Sequence, residues 1–242
     1  MRIVVLVAGN PIPAVALRRG DYPRWIRETT GDAWAGRWTV HDLRTSAPLP
    51  GPRDADAFVI TGSSASVTER APWMLRAEGL VRAIVASRAP LLGLCFGHQM
   101  IAQALGGHVA KNPRGREIGT VRVERLGDDP LFAGLPRAFD VNATHVDVVA
   151  KLPPRAEVLA TTALDDVAAY RVGDRVRGVQ FHPEFDDHVI RDYLRERAQL
   201  VRAEGGDPEA LLARARGGTR GRDILRNFGR MVSSRAPSRA AS

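Results

Sequence analysis

Along the first hundred residues, apolar or β-rich runs alternate with segments whose apolar residues recur at helical spacing. The runs are typical of buried strands and lie at 3–8, 37–43, 56–63 and 90–95. Helical segments follow the last two runs: one begins at Ser66, which with Glu69 has the spacing of a capping box, and one closes on two glycines at 106 and 107. This alternation predicts an α/β fold of three layers, with a mostly parallel open sheet between helices.

The middle of the chain has short β-like runs separated by turn residues, at 118–126, 138–150, 156–162, 167–173 and 175–182. Such runs predict antiparallel strands that extend or flank the main sheet. After Asp186 the helical spacing returns, and it continues in two further short segments. No change of composition separates two domains, so we expect a single domain over residues 1–230 and a disordered basic tail over 231–242.

The charge of the chain raises the possibility of a nucleic-acid partner, because 35 lysines and arginines against 27 acidic residues give a formal net charge of +8. These cations are nearly all arginines and are interleaved with acids instead of forming a cluster. No groove-reading or aromatic RNA-binding motif accompanies them. We therefore expect a solvated arginine-rich surface and no nucleic-acid partner.

The lengths of the apolar stretches, the number of cysteines and the absence of metal-binding or phosphate-binding motifs narrow the class of protein further. No apolar stretch reaches the ~20 residues that a membrane span needs, and one cysteine cannot form an internal disulfide, so we expect a cytoplasmic protein that binds no membrane. The histidines and acids have no metal-ligand spacing, and no phosphate-binding loop occurs, so neither a metal nor a cofactor is expected. A small molecule is the expected partner.

The only cysteine of the chain lies in PLLGLCFGHQ, residues 90–99, with Gly93 and Gly97 two positions away on either side. A residue on a sharp strand-to-helix turn projects its side chain above the sheet edge, and small neighbours relieve the crowding of such a nucleophile elbow. The helix that follows would direct positive dipole and backbone N–H groups at Cys95. The decapeptide alone is also compatible with a buried, inert cysteine beside close helix packing.

A nucleophile needs a base, and of the six histidines His182 has the most suggestive setting. In GVQFHPEF it ends an apolar run, where an open α/β sheet places its active site, and Glu184 lies near enough to orient its ring. We expect His98, next to the elbow, to point away from the cysteine, and we leave open whether His145 lines the site or caps a loop.

Together, GLCFGHQ and GVQFHPE resemble the G-x-C-x-G-x-Q and Q-F-H-P-E motifs of the class I (triad-type) glutamine amidotransferases, most closely the amidotransferase domain of GMP synthase. The segments VITGSSASV, REIG and NATHVDVV agree in order and spacing, and the resemblance covers roughly residues 3 to 200. It implies a flavodoxin-like three-layer fold with a small antiparallel extension.

The resemblance also implies a mechanism and a set of site residues. Cys95 would attack the side-chain amide of glutamine to form a γ-glutamyl thioester, with His182 as base and Glu184 orienting it. The oxyanion would be held by backbone N–H groups, and the α-amino and carboxylate groups of the substrate by four further residues. The resemblance assigns Gly62 and Phe96 to the oxyanion and Gln99, Thr144, Val146 (backbone) and Asp147 to the substrate.

The chain departs from the family pattern in two segments. The oxyanion segment has T-G-S-S where many members have G-G-P, and Val146 stands where relatives often have glycine. A valine there would narrow or reshape the glutamine pocket.

Three functions therefore remain open. The first is a glutamine amidotransferase that releases glutamate and ammonia; because the ~40 residues after Gln199 cannot hold an ATP-using region, it would pass ammonia to a separate synthetase subunit. The second is a γ-glutamyl hydrolase or peptidase, and the third a catalytically inactive binding or regulatory module on the same fold.

Overall fold

The structure, a computed structural model, describes residues 1–216 and 220–234. Eleven strands and eight α-helices are present in these two ranges. The strands are β1 (Arg2–Val7), β2 (Arg37–Asp42), β3 (Ala57–Ile60), β4 (Leu91–Leu94), β5 (His108–Lys111), β6 (Glu117–Arg125), β7 (Ala138–His145), β8 (Asp147–Lys151), β9 (Ala156–Thr161), β10 (Ala169–Val172) and β11 (Val176–Val179). The helices are α1 (Pro13–Arg19), α2 (Tyr22–Thr30), α3 (Pro72–Ala86), α4 (Phe96–Ala104), α5 (Asp187–Glu196), α6 (Ala198–Ala203), α7 (Pro208–Arg214) and α8 (Gly221–Ser233).

Nine strands form one sheet in the order β2-β1-β3-β4-β11-β10-β9-β6-β7. The five strands from β2 to β11 are parallel, and each pair from β11 to β7 is antiparallel. A separate two-stranded sheet pairs β5 with β8. The predicted α/β architecture with a mostly parallel sheet is therefore confirmed.

The sheet lies between two helical layers, each with its own apolar core. Side chains of β1 alternate between these cores, with Ile3 and Val5 on one face and Val4 and Leu6 on the other. The first core contains apolar residues of α1, α2, α5 and α8, and the second those of α3 and α4. Burial on both faces explains why this strand is a continuous apolar run.

Three details differ from the prediction. The capping box of Ser66 and Glu69 exists, but it begins a short 3₁₀ helix (Val67–Glu69), and α3 starts separately at Pro72. The run 138–150 is two strands in different sheets, separated at Val146. β11, expected among the antiparallel strands, lies inside the parallel part beside β4.

The predicted domain boundary at 230 falls inside α8, which packs its apolar residues Ile224, Leu225 and Phe228 into the first core. The basic tail expected from 231 therefore starts within this helix. Val232, inside that expected tail, is buried. Residues 235–242 of that expected tail lie outside the described residues.

The order of the sheet positions the predicted site. The neighbouring strands β3, β4 and β11 are parallel, so their carboxyl ends meet at one edge. Gly62 follows β3, Cys95 follows β4 and His182 follows β11. Motifs that are 33 and 87 positions apart along the chain are thereby brought side by side.

Candidate active site

Cys95 occupies the sharp turn between β4 and α4. Its backbone has φ of +49° and ψ of −102°, a conformation that residues other than glycine rarely adopt. The residue is 5% exposed, and its backbone N–H donates to the carbonyl of Val179 at 2.9 Å. Strain of this kind is typical of nucleophile elbows, where the surrounding packing fixes the backbone.

Gly93 and Gly97 are required by the close packing of this turn. A Cβ on Gly93 would lie 2.4 Å from the carbonyl oxygen of Gly97, and one on Gly97 would lie 2.5 Å from that of Ile60. Both contacts are with backbone, which cannot move aside as a flexible side chain can. The glycines therefore allow α4 to approach β3 and β4 closely enough to hold Cys95 in place.

His182 and Glu184 form a buried pair beside the cysteine. Nδ1 of His182 lies 2.8 Å from Oε1 of Glu184, and both side chains are almost fully buried. Phe185 stacks on the imidazole with ring centroids 4.1 Å apart, while the His182 backbone N–H donates to the carbonyl of Asn142 at 2.8 Å. The ring is thus fixed with its Nε2 atom away from Glu184.

The electrostatic setting of His182 favours the imidazolium. Burial lowers the pKa of its ring, but the negative charge of Glu184, followed by the charge and hydrogen bond of Cys95, outweighs burial and raises the pKa of His182 to about 10. The second carboxylate oxygen of Glu184 has no hydrogen-bond partner among the described residues.

The two residues predicted to supply oxyanion N–H groups, Gly62 and Phe96, lie beside His182 and at the start of α4. Gly62 lies so close to the imidazole that a Cβ on it would be 2.7 Å from Cε1 of His182. The hydroxyl of buried Thr61 donates to the Gly62 carbonyl at 3.0 Å and accepts from the N–H of Ala8 at 3.0 Å, which holds the peptide between Gly62 and Ser63. Phe96 is the first residue of α4, so its N–H has no partner within the helix.

A small polar cavity of about 160 Å³ opens above Cys95. The four residues assigned to substrate binding all line it, together with part of the oxyanion segment and two arginines: Ser63, Ser64, Ala65, Ser66, Cys95, Phe96, Gln99, Arg116, Thr144, His145, Val146, Asp147 and Arg197. The structure thus brings the predicted nucleophile and binding residues to one cavity, with the predicted base directly beside the nucleophile.

Three of the predicted binding residues are already engaged by protein groups. The Gln99 amide donates to the carbonyl of Asp147 at 2.8 Å and to Oε1 of Gln180 at 3.0 Å, which leaves only its oxygen for a substrate. The carboxylate of Asp147 accepts from the hydroxyl of Ser66 at 2.5 Å. Thr144 accepts from the Cys95 thiol through its carbonyl at 3.9 Å, and its own hydroxyl has no partner among the described residues.

Gln180 is a residue of the site that the sequence reasoning missed. Its side-chain amide donates to Sγ of Cys95 at 3.5 Å, and the residue is 1% exposed. The Gln99–Gln180 contact links it to α4, so a chain of amides runs from the cavity wall to the sulfur. Its place in the Q-F-H-P-E motif was visible in the sequence, but nothing there showed that the side chain faces Cys95.

Replacing Gln180 with leucine is expected to slow alkylation of Cys95 at neutral pH about tenfold, because a hydrogen bond to an ionised group is worth about 1.5–3 kcal/mol. The measurement is the rate of modification by iodoacetamide. The matched control is Gln103→Leu, because Gln103 is a glutamine of α4 whose side-chain oxygen accepts from the N–H of Val109 instead of contacting Cys95. Equal rates in the two variants would show that Gln180 does not act on the sulfur.

Two other histidines, His98 and His145, lie near the site and pack against protein groups. His98 is fully buried against Gly178 and Tyr170, and burial lowers its pKa to about 3, so its ring is neutral and faces away from Cys95, as predicted. His145 lines the cavity, and its ring is held by Glu117 at 3.0 Å and by the carbonyl of Asp147 at 3.1 Å. His145 thereby supports the loop that carries Val146 and Asp147.

The described residues contain neither a cluster of side chains that could hold a metal ion nor a helix that could span a membrane. No group of three or more histidine, cysteine, aspartate or glutamate side chains in 1–216 and 220–234 could hold a metal ion. None of the helices within those ranges has the length and apolar character needed to cross a bilayer.

This fold and site define a class of protein, and comparison with known families identifies it. The glutamine amidotransferase class-I family matches residues 38–197, more than half of the 242 residues. The chain belongs to this family. The region that matches begins at β2 and ends just after α5, so it contains Cys95, His182 and Glu184.

The relatives of this chain include proteins named as GMP synthases and one named as a γ-glutamyl peptidase. GMP synthase [glutamine-hydrolyzing] of Thermomicrobium roseum is 44% identical over 142 residues, 57% of this chain and 26% of that protein. One GMP synthase [glutamine-hydrolyzing] subunit, from Methanothermobacter thermautotrophicus, is 37% identical over 133 residues, 54% of this chain and 67% of that one. Gamma-glutamyl peptidase 4 of Arabidopsis thaliana is 29% identical over 144 residues, 57% of each chain.

Solved structures support the fold. A glutamine amidotransferase from Thermotoga maritima superposes with a TM-score of 0.70 at 22% identity, and the superposition covers 97% of each chain.

The chain spans about a quarter of the Thermomicrobium protein's length, so the activity of that whole protein does not transfer to it.

Proposed function

We propose that this protein hydrolyses the side-chain amide of glutamine through a thioester on Cys95 and releases glutamate and ammonia. The observation that carries the proposal is the strained elbow that holds Cys95 beside the buried His182–Glu184 pair. A cysteine with a base and a residue that orients the base is the arrangement that nucleophilic amide hydrolysis needs.

The first half-reaction forms the thioester. The reaction starts from the ion pair in which the proton of the Cys95 thiol has passed to His182, as its raised pKa favours. The thiolate attacks the amide carbon, whose oxygen becomes an oxyanion that the N–H groups of Gly62 and Phe96 stabilise. The C–N bond then breaks, and the imidazolium gives its proton to the departing nitrogen, which leaves as ammonia. The raised pKa of His182 is consistent with a stable imidazolium between these two steps.

The second half-reaction frees the enzyme. His182, neutral again, takes a proton from water as the water oxygen attacks the thioester carbon. The C–S bond breaks, Cys95 leaves as the thiolate, and glutamate is released. Glu184 holds the imidazole through Nδ1 in both halves, so that Nε2 stays directed at the reacting atoms.

The size and polarity of the cavity favour a single amino acid as substrate. Its volume of about 160 Å³ is below the ~300–1,000 Å³ of sites for drug-sized ligands. Its walls supply a carboxylate at Asp147, the oxygen of Gln99 and a series of serine side chains. Polar groups of this kind match the charged α-amino group and the polar body of glutamine.

The ammonia released would pass to a separate synthetase protein. This part of the proposal is supported by the Methanothermobacter relative, because its name describes one subunit of a larger GMP synthase.

A γ-glutamyl peptidase is the second candidate, and a neighbouring cleft favours it. This cleft has a volume of about 530 Å³ and shares Arg116 and Val146 with the catalytic cavity. Ile118, Val121 and Leu211 give it an apolar floor. Such a space would hold a group much larger than ammonia, and one relative carries the name of a γ-glutamyl peptidase.

Kinetics with glutamine and with γ-glutamyl-phenylalanine separate the two candidates. We expect ammonia release from glutamine with a kcat/KM at least about tenfold above that for peptide cleavage, because the catalytic cavity is small. The reverse ratio would overturn the glutaminase proposal in favour of the peptidase. Turnover of neither substrate would favour the inactive module.

A further inference from the structure

Arg197 is a cation of the catalytic cavity that none of the family motifs supplies. It lies at the junction between α5 and α6, is half-buried, and lines the same cavity as Cys95 and Asp147. Its Nε atom is fully buried and has no hydrogen-bond partner within the described residues. A buried N–H of a guanidinium without an acceptor is costly, since burial removes its hydration.

Two arginines near Arg197 have carboxylate partners. Arg116, across the cavity, binds Glu204 through two hydrogen bonds of 2.8 and 3.0 Å. Arg195, two residues before Arg197, is paired with Asp192 at 2.9 Å. Arg197 forms no such ion pair in the part of the chain that the structure describes.

The electrostatic surroundings of Arg197 favour an anion next to it. Burial lowers the pKa of its guanidinium, and the positive charge of Arg116 lowers it further. A bound carboxylate would relieve both effects, because it supplies an opposite charge and acceptors for the guanidinium fork.

The cavity has charges of both signs on separate residues. Asp147 forms a hydrogen bond with the neutral Ser66 hydroxyl and, among the described residues, is in no ion pair. A free amino acid carries an ammonium and a carboxylate, and these would meet Asp147 and Arg197. Gln99 cannot hold the carboxylate through its amide, since that amide donates to Asp147 and Gln180.

We propose that Arg197 binds the α-carboxylate of the amino-acid substrate and so selects substrates with a free carboxylate at that position. The inference rests on the proposed hydrolysis of glutamine and adds a specificity residue to it. It places the selecting charge at the end of α5, outside the motifs that carry the nucleophile and the base.

The test compares glutamine with glutamine α-methyl ester, which keeps the side-chain amide but lacks the α-carboxylate charge. In Arg197→Met we expect kcat/KM for glutamine to fall roughly 10- to 100-fold, the effect of losing a charged hydrogen bond. For the ester we expect a change below about threefold, because an uncharged ester gains little from a guanidinium. Arg197→Lys should restore part of the glutamine activity, and Arg195→Met is the matched control for removing one charge from α5.

Equal losses for both substrates would overturn the proposal, since Arg197 would then act on the sulfur or on the fold. Unchanged kinetics for glutamine would overturn it as well. Calorimetric binding of glutamine to Cys95→Ser, with and without Arg197→Met, separates this proposal from the proposed hydrolysis. If the wild-type protein has no amidase activity but binding still weakens with Arg197→Met, the carboxylate site is supported and the hydrolysis is contradicted.

Discussion

Cys95→Ser is expected to lower the turnover of glutamine by about 10³- to 10⁴-fold or more, while leaving the fold intact. A hydroxyl in place of the thiol fills nearly the same volume at a 5% exposed position, so the core around α4 should not change. The hydroxyl is a much weaker nucleophile, since the proposed chemistry depends on a thiolate. The measurement is ammonia release at saturating glutamine, together with the thermal unfolding midpoint.

Covalent labelling tests the same residue independently of turnover. A glutamine-analogue electrophile should add one label to the wild-type protein, and mass spectrometry should place it on Cys95, the only cysteine of the chain. The label should be absent in Cys95→Ser. A wild-type protein that takes no label between about pH 6 and 9, the range around the ordinary thiol pKa, would contradict the catalytic proposal and support the inactive binding module.

The residues that the sequence identified well are those whose function requires a fixed local geometry. Gly93 and Gly97 were predicted to give clearance for an elbow, and the structure shows backbone contacts that a Cβ would make impossible. The strands before the site were predictable for a related reason: β3, β4 and β11 are buried on both faces and so form apolar runs. The predicted runs 56–63 and 175–182 extend past the strand ends at Ile60 and Val179.

Features that depend on pairing across the fold were harder to predict. The run 138–150 is β-like throughout, and nothing local shows that β7 leaves it for the main sheet while β8 pairs with β5. That break places Val146 and Asp147 at the cavity wall. The positions of Gln180 and Arg197 were missed for the same reason, because an arginine without a partner looks the same in a sequence as one in an ion pair.

The structure also explains how the strain at Cys95 is tolerated. A non-glycine residue at positive φ costs of the order of 1–3 kcal/mol. The backbone N–H of Cys95 bonds to β11, and α4 is buried over most of its length, so the surrounding contacts offset that cost. The elbow is therefore held by β11, and His182 lies three residues after the end of that strand.

His182→Ala is expected to abolish measurable turnover, because general acid–base catalysis by one positioned group contributes about 10²- to 10⁴-fold and both half-reactions use this ring. Unfolding should remain cooperative, since Phe185 and Tyr22 still pack beside the small cavity that the change leaves. The measurement is kcat with circular dichroism as a check of the fold. Substantial activity in this variant would show that another group is the base.

Glu184→Gln, which keeps the shape of the side chain and removes its charge, should have a smaller effect with a characteristic pH dependence. Burial by itself lowers the pKa of His182, and the carboxylate of Glu184 is the largest of the influences that raise it. Without that charge the pKa of His182 falls, so the imidazolium that protonates the leaving ammonia is lost at a lower pH. The alkaline limb of the kcat profile should therefore shift to lower pH, whereas an unshifted limb with a uniformly reduced kcat would mean that Glu184 only orients the ring.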